Sequence, residues 1–208
     1  KDGYFKVFYQ KASQLTSDYW SIIWITGVFM ISNYSGAYRI LQAQSTGFPI
    51  GDIALIMIAQ NLGNMIAAFP VGKLSDKIDR RILLIFGFSM TVLANCCFGL
   101  ASGTVSIILG SALWGVQMGI TQSILSAMVA DTAKKDLRGT AFGIYYFVIA
   151  FSLFAANTLM GFYLTIRSYR RIHASAGIAA IGMILVFLVR TPYSKKKLLK
   201  TIKQFPIR

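Results

Sequence analysis

Six long apolar runs dominate the sequence and limit what the chain can fold into. Each run is about 18 to 27 residues, enough for a helix to cross a hydrocarbon core of roughly 30 Å. The runs lack the period-two alternation of membrane β-strands and are too long for them. They span residues 20–42, 50–71, 82–102, 104–129, 140–166 and 172–189. The sequence therefore predicts an all-α membrane protein with six transmembrane helices.

The distribution of Lys and Arg predicts the orientation of these helices. Of the 21 cationic residues, 17 flank the runs on one side, counting the segment before the first run and the tail after the sixth. The positive-inside rule places that side, and with it both termini, in the cytoplasm. Membrane-flanking loops and anionic lipid also account for the net charge of +14. We therefore expect membrane lipid, and no nucleic acid, as a partner.

A short basic loop joins the second and third runs. Its sequence, GKLSDKIDRR at residues 72–81, resembles the loop Gly-x-Leu-Ser-Asp-x-x-Gly-Arg-Arg of the major facilitator superfamily. In that family the loop joins the second and third helices of each six-helix half. Asp79 stands where the family has its second glycine.

Two further stretches resemble the C-terminal half of bacterial members of this superfamily. They are VADTAKKDLRGTAFG at residues 129–143 and RILQAQ at residues 39–44. The resemblance implies that residues 20–190 are the last six of twelve helices, built as two inverted three-helix repeats in a bacterial inner membrane. Residues 1–19 would then be a cytoplasmic linker or interfacial segment, and residues 191–208 a basic cytoplasmic tail. A chain that begins Lys-Asp-Gly is expected to be part of a longer protein.

The resemblance also implies a gate. In the family the acid of the basic loop, here Asp76, contacts a helix start in the other half and holds the cytoplasmic side closed. Arg80 or Arg81 pairs with nearby acids, and Asp131 is the best placed acid within this chain. The alternative is that the loop only determines topology. The predicted gating residues are Gly72, Lys73, Asp76, Arg80, Arg81, Asp131, Arg138 and Gly139.

Small residues and one proline predict how the helices pack. Gly115 with Gly119, and Gly139 with Gly143, are spaced i, i+4, a spacing that lets helices approach closely in lipid. Pro70 is expected to bend or end the second helix.

Polar and aromatic side chains within the runs predict a substrate path, because polar groups in lipid tend to face a bundle or a water-filled cavity. In the resembling family the first, second, fourth and fifth helices line that cavity. The predicted path consists of Asn33, Tyr34, Tyr38, Arg39, Gln60, Asn61, Asn64, Trp114, Gln117, Tyr145 and Tyr146. The alternative is that these groups form hydrogen bonds between neighbouring helices, each of which stabilises the packing by about 0.6 kcal/mol.

Charged groups within the runs are scarce. Arg39 is the only one even partly inside a run, where it either attracts an anionic substrate or extends outward to the interface. The chain has no Glu, and its seven Asp residues lie at run ends or in loops. Any proton-relay acid is therefore expected in a half outside this chain.

These observations predict secondary active transport of a small solute by alternating access. The chain would act as the C-terminal half, with an N-terminal six-helix half or a second copy as its partner. The alternative is an orphan half that serves as a membrane-embedded assembly or binding module. An enzyme is not expected, because the single histidine, His173, lies at a helix end, a poor position for a nucleophile–base pair. Adjacent Cys96 and Cys97 do not form a metal site, and no cofactor is expected.

Overall fold

The computed structural model describes residues 2–33, 35–45, 47–99 and 103–166, and the regular structure in these ranges is helical. The helices are α1 (Asp2–Ser13), α2 (Ser17–Ile31), α3 (Gly36–Ser45), α4 (Ile53–Leu74), α5 (Arg80–Gly99), α6 (Thr104–Thr132) and α7 (Arg138–Ile166). Short 3₁₀ turns, Ile50–Asp52 and Lys135–Leu137, precede α4 and α7. Within the described residues, four helical segments are long and apolar enough to cross a membrane: Ile50–Leu74, Arg80–Gly99, Thr104–Thr132 and Lys135–Phe162.

The first predicted span is interrupted, so the prediction of one continuous helix over residues 20–42 was wrong. α2 ends at Ile31 and α3 begins at Gly36. The Ser32 hydroxyl donates to the Phe29 carbonyl oxygen at 2.6 Å, a local bond of the kind that competes with helical pairing. Across the break, the Ser35 N–H donates to Asn157 Oδ1 of α7 at 2.8 Å. A side chain from a neighbouring helix therefore satisfies a backbone donor that the break releases.

The other described spans agree with the predicted runs to within a few residues. Pro70 does not end α4, because the helix continues to Leu74. The sixth predicted run, 172–189, and the basic tail, 191–208, lie outside the described residues.

α6 is the central helix of the described structure, and its contact with α4 is made through glycine. A Cβ atom on Gly115 would overlap the Gln60 carbonyl oxygen, and one on Gly119 would lie 2.7 Å from the Asn64 carbonyl oxygen. On the facing helix, a Cβ atom on Gly63 would overlap the Ala112 carbonyl oxygen. The prediction that Gly115 and Gly119 allow close helix packing is therefore confirmed.

Gly139 and Gly143 on α7 have no packing partner among the described residues, so the equivalent prediction for them stays a prediction. A Cβ atom on Gly139 or Gly143 would meet no described atom within 4 Å outside its own helix. α7 packs on α2 through a residue between these two glycines, where the Tyr19 hydroxyl donates to the Ala141 carbonyl oxygen at 2.9 Å. α2 also contacts α5, through stacking of Phe29 on Phe88 with ring centroids 3.8 Å apart.

Large apolar side chains cover the outer surfaces of α4 and α7. They include Phe69 on α4 and Phe147, Phe151, Phe154 and Phe162 on α7, all of which are mostly exposed. Apolar surfaces of this extent are unfavourable in water and favourable against lipid tails. The packed interior and the apolar exterior together describe a helical membrane protein.

Candidate functional site

A cavity of about 810 Å³ opens beside the break between α2 and α3, bounded on its other sides by α4, α6 and α7. Its volume is in the range of sites that hold small organic molecules. Polar and aromatic side chains supply much of its lining: Asn33, Ser35, Arg39, Gln60, Trp114, Gln117, Thr121, Gln122, Ser123, Ser126, Tyr145 and Tyr146.

Arg39 reaches this cavity from α3. Its Nη2 atom donates to Gln60 Oε1 at 2.8 Å, and its guanidinium carbon lies 4.2 Å from the centroid of the Trp114 ring. Such a cation–π contact orients the guanidinium and stabilises its charge where water is scarce. Arg39 is only 5% exposed. The alternative that Arg39 extends outward to the interface was therefore wrong.

Gln117 and Thr121 form a buried polar pair on α6. The Thr121 hydroxyl donates to the Gln117 backbone carbonyl oxygen at 2.9 Å, and Gln117 Nε2 donates to Thr121 Oγ1 at 2.9 Å. Because a hydroxyl has a single hydrogen, this backbone bond requires the amide NH₂ of Gln117 to face Thr121. The other amide atom, Gln117 Oε1, is buried and has no hydrogen-bond partner among the described residues.

Seven of the predicted path residues line the cavity: Asn33, Arg39, Gln60, Trp114, Gln117, Tyr145 and Tyr146. Two others lie away from it. Asn61 is exposed, and its amide donates to the Met57 carbonyl oxygen of its own helix at 2.8 Å. Asn64 lies in the α4–α6 contact beside Gly119. Tyr34 lies outside the described residues, as does the side chain of Tyr38.

The polar lining extends farther along α6 than the sequence interpretation indicated. Thr121, Gln122, Ser123 and Ser126 also line the cavity. The available signal was spacing, because Thr121 lies four residues after Gln117 and such residues share a helix face. Asn157, which supports the break in the first span, had no comparable signal because its partner is 122 residues away.

A second candidate site is the basic loop between α4 and α5. The Ser75 hydroxyl donates to the Gly72 carbonyl oxygen at 2.8 Å, which closes the end of α4. Asp79 Oδ1 accepts a hydrogen bond from the Arg81 N–H at 2.9 Å, so Asp79 is the N-terminal cap of α5. Asp76 is exposed. The acid that caps the helix is therefore the one in the glycine position of the family loop, not Asp76.

An ion pair joins this loop to the end of α6. Arg80 Nη1 lies 2.7 Å from Asp131 Oδ2, and the two side chains are 9% and 50% exposed. The predicted pairing of these residues is confirmed, while its role as a gate stays a prediction.

The other predicted gating residues take no part in this ion pair. Lys73 Nζ lies 4.6 Å from the centroid of the Phe69 ring. Gly72 is exposed at the end of α4, and Arg138 and Gly139 are exposed at the start of α7.

The cap on α5 makes a prediction about stability. Asp79→Ala should lower the free energy of unfolding by about 1 kcal/mol, and Asp79→Gly by only a few tenths, because glycine is itself tolerated at an N-cap. The matched control is Asp76→Ala, which removes an exposed acid from the same loop and should leave the melting temperature unchanged. Thermal unfolding of the purified protein in detergent measures all three variants. Equal losses at Asp76 and Asp79 would show that the Asp79 cap contributes nothing specific.

Comparison with known proteins identifies the family. The sequence pattern of the Major Facilitator Superfamily matches residues 20–207. The chain belongs to this family. It is therefore a multi-pass membrane protein of a transporter family rather than an enzyme.

Three relatives illustrate how much of a full-length member the chain represents. It is 28% identical over 173 residues to an uncharacterised MFS-type transporter of Methanocaldococcus jannaschii, covering 80% of this chain and 44% of that protein. It is 28% identical over 109 residues to the solute carrier family 2, facilitated glucose transporter member 4, of Bos taurus, covering 51% and 21%. It is 25% identical over 113 residues to a high glucose sensor of Saccharomyces cerevisiae, covering 54% and 15%. The chain thus spans less than half the length of these relatives.

Proposed function

We propose that the chain is the C-terminal six-helix half of a transporter that moves a small solute across the membrane by alternating access. The observation that carries this proposal is the polar cavity of about 810 Å³, which is bounded by α4, α6, α7 and the break between α2 and α3. Polar side chains gathered between membrane helices mark a solute path, because lipid offers them no hydrogen bonds. Interrupted helices at a binding cavity are also common in secondary transporters.

In this proposal residues 20–190 form the transport half, residues 1–19 a cytoplasmic linker and residues 191–208 a cytoplasmic tail. The cavity is open on one side of the described structure, so an N-terminal half or a second copy would complete the path. The basic loop and the α6–α7 connection then lie on the cytoplasmic side, as the cation distribution indicates.

The Arg80–Asp131 ion pair would stabilise the conformation in which the cytoplasmic side is closed. Exposed ion pairs contribute about 0 to 1 kcal/mol, but Arg80 is nearly buried, so its charge depends more strongly on its partner. A contact of this kind can be made in one conformation and broken in the other. The loop that carries Arg80 and the helix end that carries Asp131 would then separate when the cytoplasmic side opens.

Thiol labelling from each side of the membrane tests the proposed function. Ser126→Cys places a thiol on the cavity wall, in a background with Cys96→Ser and Cys97→Ser. We expect a membrane-impermeant maleimide to label this thiol from both faces of oriented vesicles, because the cavity opens to each face in turn. Leu62→Cys, on the exposed outer surface of α4, is the control and should label from neither face.

The labelling pattern separates the two functions that the sequence left open. Access from both faces supports alternating access. An orphan half that serves as a static assembly or binding module predicts labelling of Ser126→Cys from one face only, or from neither, and that result would contradict transport.

A further inference from the structure

Three features of the cavity favour one chemical class of solute. We propose, on the basis of the transport function above, that the cavity binds a small organic anion that carries a hydroxyl group near its carboxylate. The features are the charge of Arg39, the amino-terminal end of α3 and the acceptor atom Oε1 of Gln117.

The first feature is the sign of the charge in the cavity. Arg39 lines it, and the described residues that line it include no Asp or Glu. Gln60 and Trp114, which contact the guanidinium, are both neutral side chains. Burying a cation within a membrane costs free energy, so cations in that position usually have a function. A carboxylate matches the planar donor geometry of a guanidinium. The cavity is therefore electrostatically suited to an anion.

The second feature is the start of α3. Ser35, Gly36 and Ala37 at this end line the same cavity as Arg39. The amino-terminal end of a helix carries a partial positive charge and attracts anions. The break after α2 therefore places a second positive potential at the cavity, and it adds to the charge of Arg39.

The third feature selects among anions. Gln117 is 1% exposed, lines the cavity, and its Oε1 has no hydrogen-bond partner among the described residues. A carbonyl oxygen accepts hydrogen bonds and cannot bind a bare carboxylate, so it requires an O–H or N–H donor on the solute. An ammonium group would be repelled by nearby Arg39, which leaves a hydroxyl as the better match.

The spacing of these groups limits the size of the solute. Gln117 follows Trp114, on which Arg39 lies, by about one helical turn, a rise of roughly 5 Å. A carboxylate at Arg39 and a hydroxyl at Gln117 can therefore belong to one short molecule. The proposed class is the hydroxycarboxylates.

Matched pairs of acids test this class on the purified full-length protein in lipid nanodiscs. The probes are lactate against propanoate, malate against succinate, and quinate against cyclohexanecarboxylate, with glucose and glycerol as neutral probes. Isothermal titration calorimetry gives each dissociation constant. We expect at least one hydroxy acid to bind at least tenfold more tightly than its partner without the hydroxyl, and more tightly than either neutral probe.

Two variants then assign the selectivity to its residues. Arg39→Gln should weaken binding of that hydroxy acid at least tenfold, and Arg39→Lys should restore part of it, since charged hydrogen bonds contribute more than neutral ones. Gln117→Leu should remove the preference for the hydroxyl while leaving affinity for the unsubstituted acid nearly unchanged. Lys11→Gln, which removes an exposed cation outside the cavity, is the control and should match the unmodified protein.

The outcomes distinguish this inference from the function on which it rests. Tight binding of a neutral probe that is insensitive to Arg39→Gln would overturn the anion site and leave the transport cavity in place. Binding of no probe would also overturn the hydroxycarboxylate class. Only a Ser126→Cys thiol that labels from fewer than two faces would overturn transport itself.

Discussion

Gly115→Leu is expected to prevent the protein from accumulating in a folded form, and Gly115→Ala to lower its free energy of unfolding by about 1 to 3 kcal/mol. A Cβ atom at this position would overlap the carbonyl oxygen of Gln60 and approach the backbone nitrogen of Asn64 to 2.9 Å. Both obstacles are backbone atoms of a packed helix, so no side-chain rotation relieves the overlap. α4 and α6 must move apart, and leucine requires a larger separation than alanine.

The control for this prediction is Gly143→Ala on α7. It also adds a methyl group to a glycine within a helix, but no described atom lies within 4 Å of the new Cβ outside that helix. Alanine favours helix over glycine by up to about 1 kcal/mol, so this variant should be as stable as the unmodified protein or more stable. Thermal unfolding in detergent, followed by size-exclusion fluorescence, measures both. Equal stability of Gly115→Ala and Gly143→Ala would refute the tight glycine contact between α4 and α6.

Asp131→Arg is expected to shift the access of the cavity by at least tenfold toward the side on which the basic loop lies. The change replaces the partner of Arg80 at 2.7 Å with a second cation. A charged hydrogen bond is worth about 1.5 to 3 kcal/mol, and repulsion is added to its loss. The measurement is the ratio of Ser126→Cys labelling rates from the two faces of oriented vesicles.

Two further variants determine whether this effect belongs to the ion pair. Arg80→Asp combined with Asp131→Arg restores opposite charges in exchanged positions and should recover much of the original ratio. Asp136→Asn removes an exposed acid shortly after the end of α6 and should leave the ratio unchanged. A ratio that does not respond to Asp131→Arg, or that responds equally to Asp136→Asn, would mean that the pair contributes to structure but not to gating.

The basic loop shows how a departure from a family pattern acquires a structural role. Asp79 replaces a glycine, and its carboxylate binds the Arg81 N–H at the start of α5. This cap holds the first turn of the helix next to Arg80, which makes the ion pair to Asp131. The helix cap and the ion pair are therefore built from consecutive residues. Asp76 remains exposed.

Most helical spans could be predicted from the sequence, because the length of an apolar run is a property of one local stretch of the chain. The runs at 50–71, 82–102, 104–129 and 140–166 correspond to α4, α5, α6 and α7. The break after Ile31 coincides with Ser32, Asn33 and Gly36, residue types that are common in turns. Such residues also occur inside membrane helices, so their presence alone did not predict the break. What stabilises that break is a hydrogen bond between Ser35 and Asn157, which are distant in the chain.

The direction of each polar side chain was the least predictable property. Gln60 and Asn61 are adjacent and equally polar, yet only Gln60 lines the cavity. Adjacent residues on a helix differ by about 100° in direction, and packing of α4 against α6 decides which of them faces inward. The same packing brings Gln60 to Arg39 from another segment.

By itself the sequence determined the membrane class, most of the approximate spans, the family, and Asp131 as the acidic partner of the Arg80–Arg81 pair, because apolar length, charge distribution and a short loop motif are all local. Only the tertiary structure decided that the first span is broken, that Arg39 lies inside on Trp114, and that Gln117 Oε1 is buried without a hydrogen-bond partner among the described residues. These properties depend on which helix faces meet. Backbone contacts at glycine and hydrogen bonds between distant residues set those faces, and neither is encoded in any single stretch of the chain.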